Sequence, residues 1–141
     1  MKSPETILRD AVFTALDGQI TYNAVTVPVY AAKADPGANL YVVLEETNSF
    51  EGSNKQGFGN DVTLTIEIVH YQDRAATYIQ TDSVYNDMME ILLPSVNVPG
   101  FTLAAGWQAV KVRVDTSDFL EQAEQTIVRR IIRLKATIYQ Y

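Results

Sequence analysis

In the stretch "VTLTIEIVHY", residues 62–71, apolar and polar side chains alternate strictly from Val62 to Ile68. A period of two is the signature of a strand with one buried face. It places Val62, Leu64, Ile66 and Ile68 on one side and Thr63, Thr65 and Glu67 on the other. The apolar side demands a cover of helices or a second sheet. The Thr and Glu side is expected to be wet, or to sit against a polar partner surface.

Two segments have the helical period that such a cover needs. Residues 4–17 place Ile7, Leu8, Ala11, Val12, Ala15 and Leu16 on one stripe. Ser3 suits the cap, Pro4 the first helical position, and Gly18 a left-handed residue past the end. Residues 75–93 repeat the pattern with Tyr78, Thr81, Val84, Tyr85, Met88, Ile91 and Leu92, and Pro94 ends it. Asp82, Asp87 and Glu90 lie off that stripe.

Further strands follow from shorter patterns. "VTVPVY", residues 25–30, contains Pro28, which cannot donate a ladder hydrogen bond, so this strand belongs at a sheet edge. Asp35, Pro36 and Gly37 make a turn. Residues 40–46 put Leu40, Val42 and Leu44 on one face. In "WQAVKVRVD", residues 107–115, Trp107, Ala109, Lys111 and Arg113 oppose Val110, Val112 and Val114. An acidic connector, residues 116–125, has room for a turn of helix. In the final run, "TIVRRIIRLKATIYQY", Ile127, Val128, Ile131, Ile132 and Leu134 also fit a helix. Its β-branched residues favour a strand, with Val128, Ile132, Leu134, Ala136 and Ile138 inward, Arg130 an exception among them, and Arg129, Arg133 and Lys135 outward.

The resulting order, α-β-β-β-α-β-β, predicts an α+β fold. Its sheet is antiparallel-rich, of about five strands, with both main helices packed on one face. The 141 residues are read as a single domain, 1–141.

Between the strands at 40–46 and 62–71 lies a polar, glycine-spaced run, residues 47–60, read as an extended hairpin loop. Its glycines Gly52, Gly57 and Gly59 do not form a phosphate loop, which needs Lys and Ser or Thr opening a helix. Phe50 and Phe58 give the run apolar surface to bury, and Lys55 gives it charge.

Catalytic chemistry is poorly supplied. Cysteine is absent, which excludes disulfides, zinc thiolates and thiol nucleophiles. His70 stands alone, with no nucleophile patterned around it. Glu45 and Glu46 are neighbours and point to opposite faces of a strand, so neither pairs with the other. Asp82 and Asp87 are five apart on a helix, a poor spacing for a shared metal. No catalytic, metal-ligating or cofactor-binding residue is assigned, and an enzyme is not expected.

The net charge of -6 is uneven: residues 1–106 hold thirteen acids and five bases, residues 107–141 four acids and six bases. A dedicated nucleic-acid binder would show a dominant basic face instead. "MKSPETILRD" carries charge where a secretory signal needs an apolar run. No segment approaches the ~20 apolar residues of a membrane span. The expectation is a chain made in the cytoplasm, with no membrane partner.

The succession "VTVPVY", "LYVVLEE", a glycine-bearing hairpin, and "VTLTIEIVHYQDRAATYIQTDSVYNDMMEILL" resembles the tail completion, or tail terminator, proteins of tailed phages. The resemblance spans Leu8 to about Ile138 and rests on element order and hydrophobic spacing. It implies a ring homo-oligomer, commonly a hexamer, at the head-proximal end of the virion tail. That ring stops growth of the tail tube and meets the head–tail connector, and DNA passes only in transit. It makes Phe50, Lys55 and Phe58, with the outward Arg129 and Arg133, candidates for protein contacts. Two other readings stay open: a head-closure or neck ring protein, and a small-ligand module using residues 47–60 as a lid.

Overall fold

The structure, a computed structural model, describes residues 4–31, 39–51, 58–71, 79–95, 99–122 and 127–140. The expected cap Ser3, the turn Asp35-Pro36-Gly37, Tyr78 and Lys55 lie outside them.

Helix α1, Pro4–Leu16, buries Ile7, Leu8, Val12 and Leu16, the stripe that its spacing predicts. It ends at Gly18, whose φ of 74° suits a residue without a Cβ. Ile20, fully buried, then anchors the chain beneath the helices. The expected single strand at 25–30 is split into two short pieces, and a third short strand precedes it. Strands β1 (Thr21–Tyr22) and β2 (Val25–Thr26) close a tight antiparallel hairpin. Its two loop residues, Asn23 and Ala24, have φ of 50° and 64°. Two successive left-handed residues match the right-handed twist of the flanking strands. After Pro28 comes β3, Val29–Tyr30, which pairs in parallel with β4, Leu40–Glu51. Pro28 sits at the sheet edge as its missing N–H requires, and its carbonyl accepts from Val42 N at 3.0 Å.

The main sheet adds β5 (Phe58–Tyr71), β6 (Trp107–Gln122) and β7 (Ile127–Gln140), in the order β3-β4-β5-β7-β6. Every pairing in it except β3–β4 is antiparallel. Strand β5 pairs with β7 along its whole length, from Phe58 opposite Gln140 to Tyr71 opposite Ile127. Val62, Leu64, Ile66 and Ile68 of β5, and Ile132, Leu134, Ala136 and Ile138 of β7, form one fully buried face. Both helices pack on that face: α1, and α2 (Ile79–Leu92) with Val84, Met88 and Leu92 fully buried. Each such aliphatic side chain contributes about 1.5–3 kcal/mol by leaving water. The fold is the α+β arrangement that the periodicities predict.

Where α2 ends, Gly100 N donates to the Leu92 carbonyl at 2.8 Å. A Cβ at Gly100 would lie 1.7 Å from the Ile91 carbonyl oxygen, so only glycine allows this approach.

Three sequence expectations are corrected. Strand β4 does not stop at 46 but pairs with β5 as far as Glu51 opposite Asn60, so both flanks of the supposed loop 47–60 are ladder. Residues 116–122 of the acidic connector are strand, since β6 pairs with β7 as far as Gln122 opposite Ile127, while 123–125 lie outside the described residues. In both places polar side chains hide a strand whose hydrogen bonds are supplied by the backbone. Finally, Trp107 and Ala109 do not oppose Val112 and Val114. A register shift between Ala109 and Lys111 inserts one extra residue, and all four side chains pack on the core while Val110 is 48% exposed. A bulge breaks the period of two at the point where it occurs.

Candidate interaction face

With both helices on one side, the other side of the sheet carries no helix among the described residues. Alternation assigns to it Tyr41, Val43 and Glu45 of β4, Glu67, Val69 and Tyr71 of β5, and Ile127, Arg129, Ile131 and Arg133 of β7. Register aligns them in rows across the strands: Tyr41–Val69–Arg129, then Val43–Glu67–Ile131.

Glu67 is not itself wet. It is only 7% exposed, with Val43 and Val69 buried beside it. Burial, followed by its hydrogen bond to the Glu45 carboxylate and that neighbour's charge, pushes its pKa up to about 7. Arg129 works the other way, with Nε 3.5 Å from Glu67 Oε1. The Arg129 Nε makes no hydrogen bond among the described residues, so the contact is one of charge alone. Glu45, which cannot pair with its neighbour Glu46, thus finds a carboxyl partner one strand away. Sequence spacing holds no sign of it, because the two glutamates meet only through the β4–β5 register.

Three tyrosines border this group. Tyr41 stacks on Tyr71 at 6.4 Å between ring centroids, and Tyr30 meets Tyr41 edge-on at 6.0 Å. Burial and a hydrogen bond with Tyr71 push the Tyr41 phenol up to about 12. The rings expose apolar area with a polar tip, a combination suited to contact with another protein surface.

The candidate residues fall in three places. Arg129 and Arg133 are both on this face, Arg129 beside Glu67 and Arg133 exposed opposite Thr65. Phe50 and Phe58 lie in the paired ends of β4 and β5, opposite Asp61 and Gln140 respectively. Lys55 belongs to the 52–57 segment between them, outside the described residues. The structure therefore joins the two arginines and sets the phenylalanine positions at the far end of the β4–β5 hairpin.

Arg130, the exception on the inward face, is explained by its partners. Its guanidinium lies 3.6 Å from the centroid of the Tyr85 ring and donates to Asp82 Oδ1 at 2.8 Å. The stem passes between sheet and α2 while the charged head reaches the helix rim, leaving the side chain 14% exposed.

His70 lies on the helix side of β5, opposite Leu40 and Val128. It borders a cavity of about 430 Å³ lined chiefly by Tyr22, Val25, Val27, Pro28 and Leu40. Burial lowers its pKa. The pleat thus puts His70 and the Glu45–Glu67 pair on opposite sides of the sheet, where they cannot act on one substrate. Among the described residues no cluster of three or more His, Asp or Glu is placed to hold a metal. No described helix is long and apolar enough to cross a membrane.

No protein-family profile matches the chain, and no curated protein matches it in sequence. Solved structures do match. A chain from the virion of a native gene transfer agent particle superposes with a TM-score of 0.74 at 19% identity, covering 98% of this chain and 99% of that one. At this identity the match establishes a common fold, end to end, with a component of that virion.

Proposed function

We propose that this chain is a non-enzymatic structural component of a phage-like virion, a single domain acting through protein–protein contacts as a tail terminator does. Copies form a ring, hexameric in the simplest case, at the head-proximal end of the tail tube. The ring ends tube growth and meets the head–tail connector, and DNA crosses it only in transit.

The observation that carries this reading is the end-to-end fold match with the gene transfer agent virion chain. Three features support it. The tyrosine-bordered sheet face offers a protein-binding surface. The parity of β5 separates His70 from the carboxylates. The flanks 47–51 and 58–60, at the Phe50 and Phe58 positions, lie in the β4–β5 ladder at the end away from His70, which pairs with Leu40.

The test is a tube-assembly assay. Tail tube protein from the same genome is polymerised with and without the purified chain, and the products are imaged by negative-stain electron microscopy. The reading expects shorter tubes with a ring at one end. Tubes of unchanged length, with the chain bound instead to connector, would transfer the role to head closure. Tubes and connector both left bare would refute an assembly role.

A further inference from the structure

The helix side of the molecule is acidic, while the helix-free side, which also carries Glu45, Asp61 and Glu67, concentrates bases in one part. Helices α1 and α2, with the turn after α1, hold Glu5, Asp10, Asp17, Asp82, Asp87 and Glu90 against a single base, Arg9. Asp10, Asp17 and Glu90 are exposed.

On the helix-free side, β6 and β7 gather bases. Lys111 is opposite Thr137, Arg113 opposite Lys135, and Arg133 opposite Thr116. Lys111, Arg113 and Arg133 are exposed and Lys135 half-buried. Successive rows on one face lie about 6.8 Å apart and strands about 4.8 Å apart, so the four bases fit a strip roughly 14 Å long. Asp61, in the Lys111 row, accepts a hydrogen bond from Thr137 at 2.7 Å. Arg113 and Lys135 face each other directly, and like charges so placed are destabilising unless an outside anion offsets them.

We infer that the basic strip formed by Lys111, Arg113, Arg133 and Lys135 docks on the acidic helix layer of a second copy of this chain, around Asp10, Asp17, Asp87 and Glu90. This names the contact within the ring proposed above and rests on that reading. The two surfaces differ and lie on opposite sides of one slab. Their contact is therefore heterologous, and repeated with a rotation that divides a full turn it closes a ring. A duplex-binding role fits less well, because the strip is small and the chain as a whole is acidic.

The test reverses each surface separately. One variant carries Arg113→Glu and Lys135→Glu, the other Asp87→Lys and Glu90→Lys, and circular dichroism melts verify that each folds. Sedimentation velocity at low salt should show wild-type oligomers that dissociate as salt rises. Either variant alone should assemble at least tenfold more weakly. Mixed in equal amounts, the two should assemble again, because each then meets the opposite charge on its neighbour in an alternating ring. Wild-type chain that stays monomeric at millimolar concentration overturns the inference. So does assembly unaffected by either reversal, or a mixture that fails to recover. Unchanged assembly with loss of duplex DNA binding in the strip variant would assign the strip to phosphate and also overturn it. A wild type that caps tubes while the reversals have no effect would sink only this contact, whereas failure to cap tubes sinks the proposed function itself.

Discussion

Glu67 shows how strongly one residue depends on its cross-strand neighbours. With its pKa raised from 4.5 to about 7, the folded chain holds a proton that the unfolded chain releases. The folded state therefore binds more protons between those values, and this group's contribution to stability falls as pH rises from about 4.5 to 7. His70, its pKa lowered from 6.5 by burial, contributes the opposite slope below pH 6.5. The comparison of wild type with Glu67→Gln isolates the glutamate. Thermal melts across this range should show the variant gaining relative stability as pH rises and levelling off above pH 7, with no such trend if Glu67 ionises normally. Two backbone positions give simpler tests. Ala24→Gly relieves a left-handed alanine and should stabilise by about 0.5–1 kcal/mol in urea unfolding. Gly100→Ala drives a methyl into the Ile91 carbonyl and should destabilise by about 3 kcal/mol. None of these was legible in the sequence. Glu67 follows Thr63 and Thr65 in an alternating run and reads as wet, because its burial is supplied by β4 and β7.

At the level of elements, the reading succeeded where a buried face imposes its period. The stripe of α1, the Val62-to-Ile68 face of β5, the edge position of Pro28 and the final strand all follow from side-chain patterning. It failed where backbone pairing decides. Residues 47–51 and 116–122 are mostly polar yet paired, and the bulge at Val110 moves Trp107 and Ala109 to the core side. Arg130 was seen as an anomaly but not solved, since Asp82 and Tyr85 lie on another element. The α2–β7 junction can be apportioned by double-mutant cycles. Coupling of Arg130→Ala with Tyr85→Leu should reach about 1–2 kcal/mol, as the guanidinium is largely desolvated over the ring. Coupling with Asp82→Asn should stay below about 1 kcal/mol, as Asp82 is half exposed. Equal couplings, or the reverse order, would mean that the ion pair holds the junction.

For the whole molecule, the slab has an acidic helix layer, a sheet face with a basic strip, and a hairpin arm. Charge asymmetry along the chain, -8 before residue 107 and +2 after it, was visible in the sequence. Its meaning required the topology, because only the pairing of β6 with β7 gathers the late bases on the face opposite the helices. The candidate face was half legible for the same reason. Arg129 and Arg133 could be named as outward, but Glu45, Glu67, Tyr41 and Tyr71 join them only in the folded sheet. The account makes this chain an adhesive part of a particle, and electron cryomicroscopy of the particle encoded with it tests that claim most directly. Density at the junction of head and tail should contain this two-helix, five-stranded domain as a closed ring around the DNA channel, the helix layer of each copy against the β6–β7 face of the next. Particles complete at that junction without the domain would contradict the account.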